Sequence, residues 1–168
     1  MSTSAKSATM TPPSSTLTRG GNLAILVLRL VIGITFILHG GQKLFGLFGG
    51  DGLNGTAGFF ASLGANPGSL WAVVVGVVEF FGGIALVVGL LSRLASLALI
   101  VDMVAAVIFF KVPSGFYFFE GPHPSWEYNL TMIAALLVLV LIGAGRFSAS
   151  RMVASNARGT FARFIGRA

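Results

Sequence analysis

Six ionisable side chains lie inside or at the edges of long apolar stretches of the chain. They are Arg29, His39, Lys43, Glu79, Asp102 and Glu127. A charged side chain at the centre of a bilayer costs about 2.5 to 3.5 kcal/mol on insertion scales. Such side chains therefore usually face the interior of a helix bundle or a wet cavity, where they pair with one another and handle ions, protons or ligands. These six residues are the first candidates for function.

Helix geometry, at about 1.5 Å of rise per residue, places the polar side chains at two depths. The central level holds Arg29, Glu79 and Asp102. The outer level holds His39, Lys43, Glu127 and Asn129. Two carboxyls in a poorly solvated interior could leave one of them protonated, and histidine suits proton transfer near neutral pH. The sequence thus predicts a polar pocket that binds a ligand, a quinone or a proton.

A purely structural role for these residues is the alternative. Arg29 with Asp102 or Glu79, and Lys43 with Glu127, would then be ion pairs that hold the helices together. Polar contacts between membrane helices average about 0.6 kcal/mol, so they compensate poorly for the insertion of several charges. The sequence leaves both roles open.

The elements that carry these residues are membrane spans. Of the 168 residues 55% are hydrophobic and only 10% are charged, and the mean hydropathy is +0.89. A soluble domain would carry roughly 25% charged residues. Apolar runs cover about residues 23–45, 70–91, 94–110 and 128–144, and a helix needs about 20 residues to cross the hydrocarbon core. We predict an all-α integral membrane protein, built as an antiparallel four-helix transmembrane bundle.

The connections between the runs complete this bundle. Only Ser92 and Arg93 separate the second run from the third, which predicts a tight antiparallel hairpin. A short interfacial helix is expected over residues 56–63 after the first span, with Thr56 as its cap. The loop over residues 111–127 carries aromatic side chains that suit the headgroup level.

Two tails flank the four-helix membrane domain, which we place at residues 23–147. Residues 1–22 are rich in Ser, Thr and Pro and predict a disordered cytoplasmic tail, with a signal peptide as the alternative. Residues 148–168 predict a basic amphipathic cytoplasmic tail resting on anionic lipid, with a solvated tail as the alternative. This membrane face accounts for the net charge of +6, so no nucleic-acid partner is expected.

Composition excludes several kinds of chemistry. The chain has no cysteine, so it offers no thiol for exchange, for an iron–sulfur cluster or for a cysteine-based zinc site. Of its two histidines, only His39 lies in a span, so a bis-histidine haem pocket is not expected either. No nucleophile elbow, phosphate loop or metal-ligand pattern is present, and no catalytic residue is assigned. No cofactor is assigned, and a quinone is one candidate for the predicted pocket.

An ordered series of motifs runs through all four spans. The motifs are Arg29 with Gly33 and Phe36, His39-Gly40-Gly41-Gln42-Lys43, Glu79-Phe80-Phe81-Gly82-Gly83, Gly89-Leu90-Leu91-Ser92-Arg93, Asp102-Met103 with Ala106, Trp126-Glu127-Tyr128-Asn129, and Gly143-Ala144-Gly145-Arg146-Phe147-Ser148. In this the chain resembles the DoxX family of small bacterial inner-membrane proteins over about residues 23–150. One departure is Ser150, where relatives commonly have Asp, which weakens any role that needs an acid there.

The resemblance implies a multi-pass protein of the bacterial inner (plasma) membrane in a redox setting. The family takes its name from a subunit associated with a thiosulfate:quinone oxidoreductase, and some relatives are linked to membrane-associated oxidative-stress complexes. An accessory subunit is therefore expected, with soluble redox enzymes as partners at the cytoplasmic face and a pocket for a quinone or protons. A small-solute or proton permeation protein and a membrane scaffold that recruits soluble enzymes are the alternatives. Each is compatible with a homo-oligomer.

The positive-inside rule predicts that both termini are cytoplasmic. Basic residues before the first span, in the hairpin and after the fourth span all lie on one side: Lys6, Arg19, Arg93, Arg146, Arg151, Arg158, Arg163 and Arg167. After residue 168, we therefore expect activity from a fused reporter that works only in the cytoplasm. Within the loop over residues 46–69, we expect activity from a reporter that works only outside the membrane. An external carboxyl terminus would contradict this orientation.

Overall fold

The computed structural model describes residues 17–112, 118 and 125–153, and its regular elements there are all helical. The α-helices are α1 (Arg19–Phe45), α2 (Gly52–Ser62), α3 (Gly68–Val88), α4 (Ser92–Ala106) and α5 (Glu127–Ile142). A short 3₁₀ turn, Leu47–Gly49, follows α1, and a turn of π-helix, Val107–Lys111, extends α4. The predicted all-α architecture is confirmed.

Three of the helical segments are long and apolar enough to cross a membrane: α1, α3, and α4 together with its π-helical turn. The apolar α5 is shorter, with 16 residues, or about 24 Å of helix at the usual rise. Large apolar side chains face outward on every one of these helices, as lipid contact requires; examples are Val31, Phe81, Leu94, Val101 and Leu141. The chain is a multi-pass membrane protein.

Successive spans run antiparallel, and α5 returns to pack against α1. The core between them is formed by buried apolar side chains of all four spans, among them Ile32, Phe36, Leu86, Leu99 and Leu136. We call the end that holds the α3–α4 connection and the residues after α5 the hairpin end. The opposite end, where α1 and α4 finish and α3 and α5 begin, is the α2 end because α2 packs there against α1 and α3.

The short helix α2 differs from its prediction. It begins at Gly52 rather than at Thr56, and Asp51 occupies the N-cap position. Thr56 is instead a buried residue inside the helix, and its hydroxyl donates to the carbonyl of Lys43 at 3.4 Å. The expected Thr56 cap is therefore wrong, because the hydroxyl binds a carbonyl in the last turn of α1 instead of the amide groups of its own helix.

The predicted tails and one loop fall mainly outside the described residues. Within them, α1 begins at Arg19, and Thr18 caps it by accepting a bond from the amide of Gly21 at 3.1 Å. Residues 149–153 are helical. The remainder of the predicted tails, and most of the aromatic loop 111–127, lie beyond the described part of the chain.

Glycines let α1 and α3 approach until their backbones touch. A Cβ atom added to Gly83 would lie 2.6 Å from the carbonyl oxygen of Gly33, and one added to Gly33 would lie 2.8 Å from the carbonyl oxygen of Gly83. Farther along, Gly40 packs directly on the backbone of Phe80. Small residues at such positions are the usual means of close packing between membrane helices, because dispersion contacts replace the hydrophobic driving force there.

The side chain of Arg29 ties α1 to the other helices at the hairpin end. It is 1% exposed, and it donates from Nε to the carbonyl of Leu86 at 2.8 Å and from Nη2 to that of Val87 at 2.9 Å. Its Nη1 donates to the carbonyls of Ala144 at 2.5 Å and Phe147 at 2.8 Å. Because the last carbonyls of a helix carry partial negative charge, this buried cation both caps α3 and anchors the segment after α5.

Replacing Gly83 by Ala should separate α1 from α3. The added methyl group would meet backbone atoms of Gly33 and Ile37, which cannot move aside as a flexible side chain can, so we expect a loss of about 1 to 3 kcal/mol in the free energy of unfolding. Gly58→Ala in α2 is the matched control, because a Cβ there meets nothing within 4 Å. Thermal unfolding in detergent should show destabilisation by the first change and none by the second.

Arg29→Lys should also destabilise the bundle, although it keeps the positive charge. An ammonium group cannot reproduce the planar fork that reaches four carbonyls on two segments, and we expect a loss of about 2 to 4 kcal/mol in the free energy of unfolding. Arg19→Lys makes the same change at an exposed position of α1 and should stay within about 0.5 kcal/mol of the unmodified protein. Equal stability of the two variants would contradict the role assigned to Arg29.

Candidate functional site

A cavity of about 760 Å³ lies at the α2 end of the bundle. Each of the four spans contributes to its wall, and α2 adds side chains from the side. The polar lining near its centre consists of His39, Lys43, Glu79, Asp102, Tyr128 and Asn129. The predicted central and outer levels thus contribute to one cluster.

An ion pair joins the two levels. Lys43 Nζ lies 2.6 Å from Glu79 Oε2, and the two side chains are 26% and 5% exposed. The contact depends on the glycine packing of α1 against α3, because Gly40 and Gly76 bring the last turns of α1 onto the stretch of α3 around Glu79. A buried pair of this kind holds each charge in place, since removing one partner would leave the other uncompensated in a poorly solvated site.

Asp102 brings a second carboxyl to the same place from α4. It lies beside the carboxyl of Glu79, close enough for the two groups to share a proton. Its Oδ2 is buried and accepts no hydrogen bond from any donor in the described part of the chain. The cluster therefore contains one neutralised carboxylate, that of Glu79, and a second carboxyl with a buried oxygen that lacks a donor.

Two further contacts complete the polar cluster. The hydroxyl of Tyr128 lies 3.4 Å from Nε2 of His39, with the rings edge to face. The amide Nδ2 of Asn129 donates to the sulfur of Met103 at 3.4 Å, a weak interaction for a strong donor. The start of α5 thus contributes hydrogen-bonding groups that face α1 and α4.

The rest of the wall is mostly apolar and rich in aromatic rings, and its other polar members are Thr56, Asn66 and Lys111. Phe59, Phe60 and Phe110 pack together with centroids 5.5 to 5.9 Å apart, so α2 is joined to the π-helical turn after α4. The wall also includes Trp71 of α3 and Val101 of α4, which are 44% and 69% exposed. Because exposed residues of both helices line it, the cavity extends to the lipid-facing surface between α3 and α4.

Two residues predicted for the pocket are placed elsewhere. Arg29 binds carbonyls at the hairpin end, so its expected pairing with Asp102 or Glu79 is wrong. The carbonyl end of α3 and the segment after α5 offer it partners that need no desolvated carboxylate. Lys43 pairs with Glu79 rather than with Glu127. Glu127 begins α5 and is not part of the cavity wall.

Several lining residues were missed by the sequence analysis. Tyr128 follows Glu127 in a motif that the sequence made visible, yet a tyrosine near a span end is more often an interfacial anchor. The phenylalanines of α2 and of the π-helical turn carried no polar signal at all. Their role in the wall follows from the packing of α2 against the bundle, which no local pattern encodes.

Among the described residues no group of three His, Asp or Glu side chains could hold a metal ion. The polar groups that line the cavity can donate and accept hydrogen bonds.

Comparison with known proteins identifies relatives that are also membrane proteins. The uncharacterized membrane protein Rv3486 of Mycobacterium tuberculosis is 32% identical over 151 residues, which cover 85% of this chain and 89% of the relative. The protein of Bacillus subtilis named "Putative oxidoreductase CatD" is 29% identical over 117 residues, or 70% and 78% of the two chains. Inner membrane protein YphA of Escherichia coli is 29% identical over 136 residues, or 76% and 88%. No solved structure matches the chain.

The sequence profile of the DoxX family matches residues 24–112, which include most of α1, all of α2 to α4, and His39, Lys43, Glu79 and Asp102 of the polar cluster. The match covers more than half of the 168 residues, and the relative from Mycobacterium tuberculosis is similar along nearly its whole length. The chain is a member of the DoxX family.

Proposed function

We propose that the cavity binds an isoprenoid quinone and that the protein serves as an accessory subunit of a membrane-associated oxidoreductase. The observation that carries this proposal is the buried cluster of Lys43, Glu79 and Asp102 beside an apolar, aromatic-lined cavity that extends to the lipid between α3 and α4. A quinone combines the same two features, a flat ring with polar oxygens and a long apolar tail.

Size and lining support this ligand class. The volume of about 760 Å³ falls in the range of roughly 300 to 1,000 Å³ that is usual for small-molecule sites, which are mostly apolar with a few convergent polar groups. The ring would lie among Phe60, Trp71 and Phe110, within reach of the polar cluster. The isoprenoid tail would leave between α3 and α4, where exposed apolar residues already face lipid.

Packing favours a binding site over a permeation path. Between the cavity and the hairpin end the bundle is filled by side chains that are at most 1% exposed, among them Phe36, Leu86 and Leu139. Arg29 lies beyond them, and backbone carbonyls accept hydrogen bonds from all three of its guanidinium nitrogens. A path for solutes or protons across the whole membrane would have to pass these groups, whereas a site entered from the bilayer does not.

An accessory role follows from what quinone reduction requires. Reduction to the quinol takes two electrons and two protons. The cluster of His39, Glu79 and Asp102 offers groups that can pass protons, whereas the electrons must come from a partner oxidoreductase. Exposed arginines at the hairpin end, Arg19, Arg93, Arg146 and Arg151, suit a soluble partner with an acidic surface. The relative named as an oxidoreductase supports this setting.

Quinone binding can be followed with the fluorescence of Trp71, which lines the cavity. Decylubiquinone added to the purified protein in nanodiscs should quench this fluorescence to saturation, and Trp71→Phe should remove the saturable part. Ala105→Phe, which fills the cavity from α4, should weaken binding at least tenfold. The neighbouring Val104→Phe points away from the cavity into lipid and is the matched control. The proposal is wrong if quenching never saturates, or if Ala105→Phe binds the quinone as tightly as its control.

A further inference from the structure

The polar cluster presents a hydrogen-bond donor and a hydrogen-bond acceptor side by side. Lys43 has three N–H groups, and one of them faces Glu79. The carboxyl of Asp102 lies close enough to interact electrostatically with both Lys43 and Glu79. All three side chains line the cavity. A ligand atom placed between Lys43 and Asp102 would therefore meet an ammonium group on one side and a carboxyl oxygen on the other.

The carboxyl of Asp102 remains an acceptor in either protonation state. If it is ionised, both oxygens only accept. If it shares a proton with Glu79, that proton occupies one oxygen and the other still faces the remaining space. Its Oδ2 is shielded by surrounding atoms, but the residue is partly exposed and lines the cavity, so the other oxygen, Oδ1, is the one that a ligand can reach. An acceptor at the edge of a poorly solvated cavity is satisfied only by a ligand that donates a hydrogen bond to it, so such a ligand gains more than one that cannot donate.

On the basis of the proposed quinone site, we infer that this cavity selects the reduced, quinol form of its ligand. A quinol hydroxyl can accept from Lys43 and donate to Asp102 at the same time. A quinone carbonyl can accept from Lys43, but it places its lone pairs against an oxygen of Asp102. The geometry of Lys43, Glu79 and Asp102 thus matches a hydroxyl group and penalises a carbonyl group.

This selectivity has a consequence for the redox chemistry of the bound molecule. A site that binds quinol tenfold more tightly than quinone raises the midpoint potential of the bound two-electron couple by about 30 mV. The bound quinone is then more easily reduced than the same quinone in the bilayer. The reaction class that suits the site is therefore electron delivery to quinone by a partner enzyme, followed by release of quinol to the membrane.

The test compares ligands that differ only in whether they carry an O–H group that can donate a hydrogen bond. With decylubiquinone bound and Trp71 quenched, decylubiquinol should displace the quinone and restore fluorescence under anaerobic conditions. We expect its dissociation constant to be at least tenfold below that of the quinone. The dimethyl ether of the same quinol keeps the ring and the tail but has no O–H group, and its dissociation constant should be no lower than that of the quinone.

The variant Asp102→Asn tests the residue itself. The carboxamide has nearly the same shape and can turn its NH₂ group toward a carbonyl, so the preference for quinol should fall below threefold or reverse. Asp51→Asn makes the same chemical change at an exposed position outside the cavity and should leave the preference unchanged. Thermal unfolding of both variants in detergent shows whether the fold is retained.

Failure of this inference is distinct from failure of the proposed function. Absence of saturable quenching by the quinone would remove the site altogether. Saturable quinone binding with no advantage for the quinol would leave the site in place and overturn its selectivity. A quinol preference that persists in Asp102→Asn, or that is shared by the dimethyl ether, would show that Asp102 does not accept the hydroxyl proton, and would likewise overturn the inference.

Discussion

The close approach of α1 and α3 is the constraint on which the rest of the structure depends. Gly33 and Gly83 meet backbone to backbone, and Gly40 packs on the backbone of Phe80. This contact sets the rotation of both helices. It directs Arg29 toward the carboxyl end of α3, and it places Lys43 opposite Glu79 at the other end. Side chains at these glycine positions would move both polar contacts apart.

The two ends of the bundle use charge in different ways. At the hairpin end backbone carbonyls accept hydrogen bonds from all three guanidinium nitrogens of Arg29, and the packing around this side chain is closed. At the α2 end Lys43 and two carboxyls border a cavity, and one carboxyl oxygen lacks a donor. Arg29 thus ties the helices together at the hairpin end, whereas at the α2 end charged groups border open space.

The packing contacts around the cavity suit the proposed ligand, which would enter from the membrane. The helices α3 and α4 are tied at the hairpin end, and the cavity lies between them at the other end, where α2 and the π-helical turn pack through aromatic rings. Turns of π-helix are often found at functional sites, because the extra residue re-aims neighbouring side chains. Here the turn brings Phe110 into the wall of the cavity.

The sequence by itself determined the spans, the hairpin and the presence of buried ionisable residues, because hydropathy over about 20 residues is a local property that the bilayer imposes. It also carried the motifs by which the family could be recognised.

The tertiary structure alone decided which ionisable residues meet. Counting residues along each helix placed Arg29 at the same membrane depth as Glu79 and Asp102. Depth alone does not determine how a helix is rotated, nor whether backbone carbonyls compete for the side chain. The cap expected at Thr56 failed for a similar reason, since its hydroxyl found a partner on another helix. The aromatic wall depends on contacts between α2 and the π-helical turn after α4, which are distant in the chain and leave no local signature.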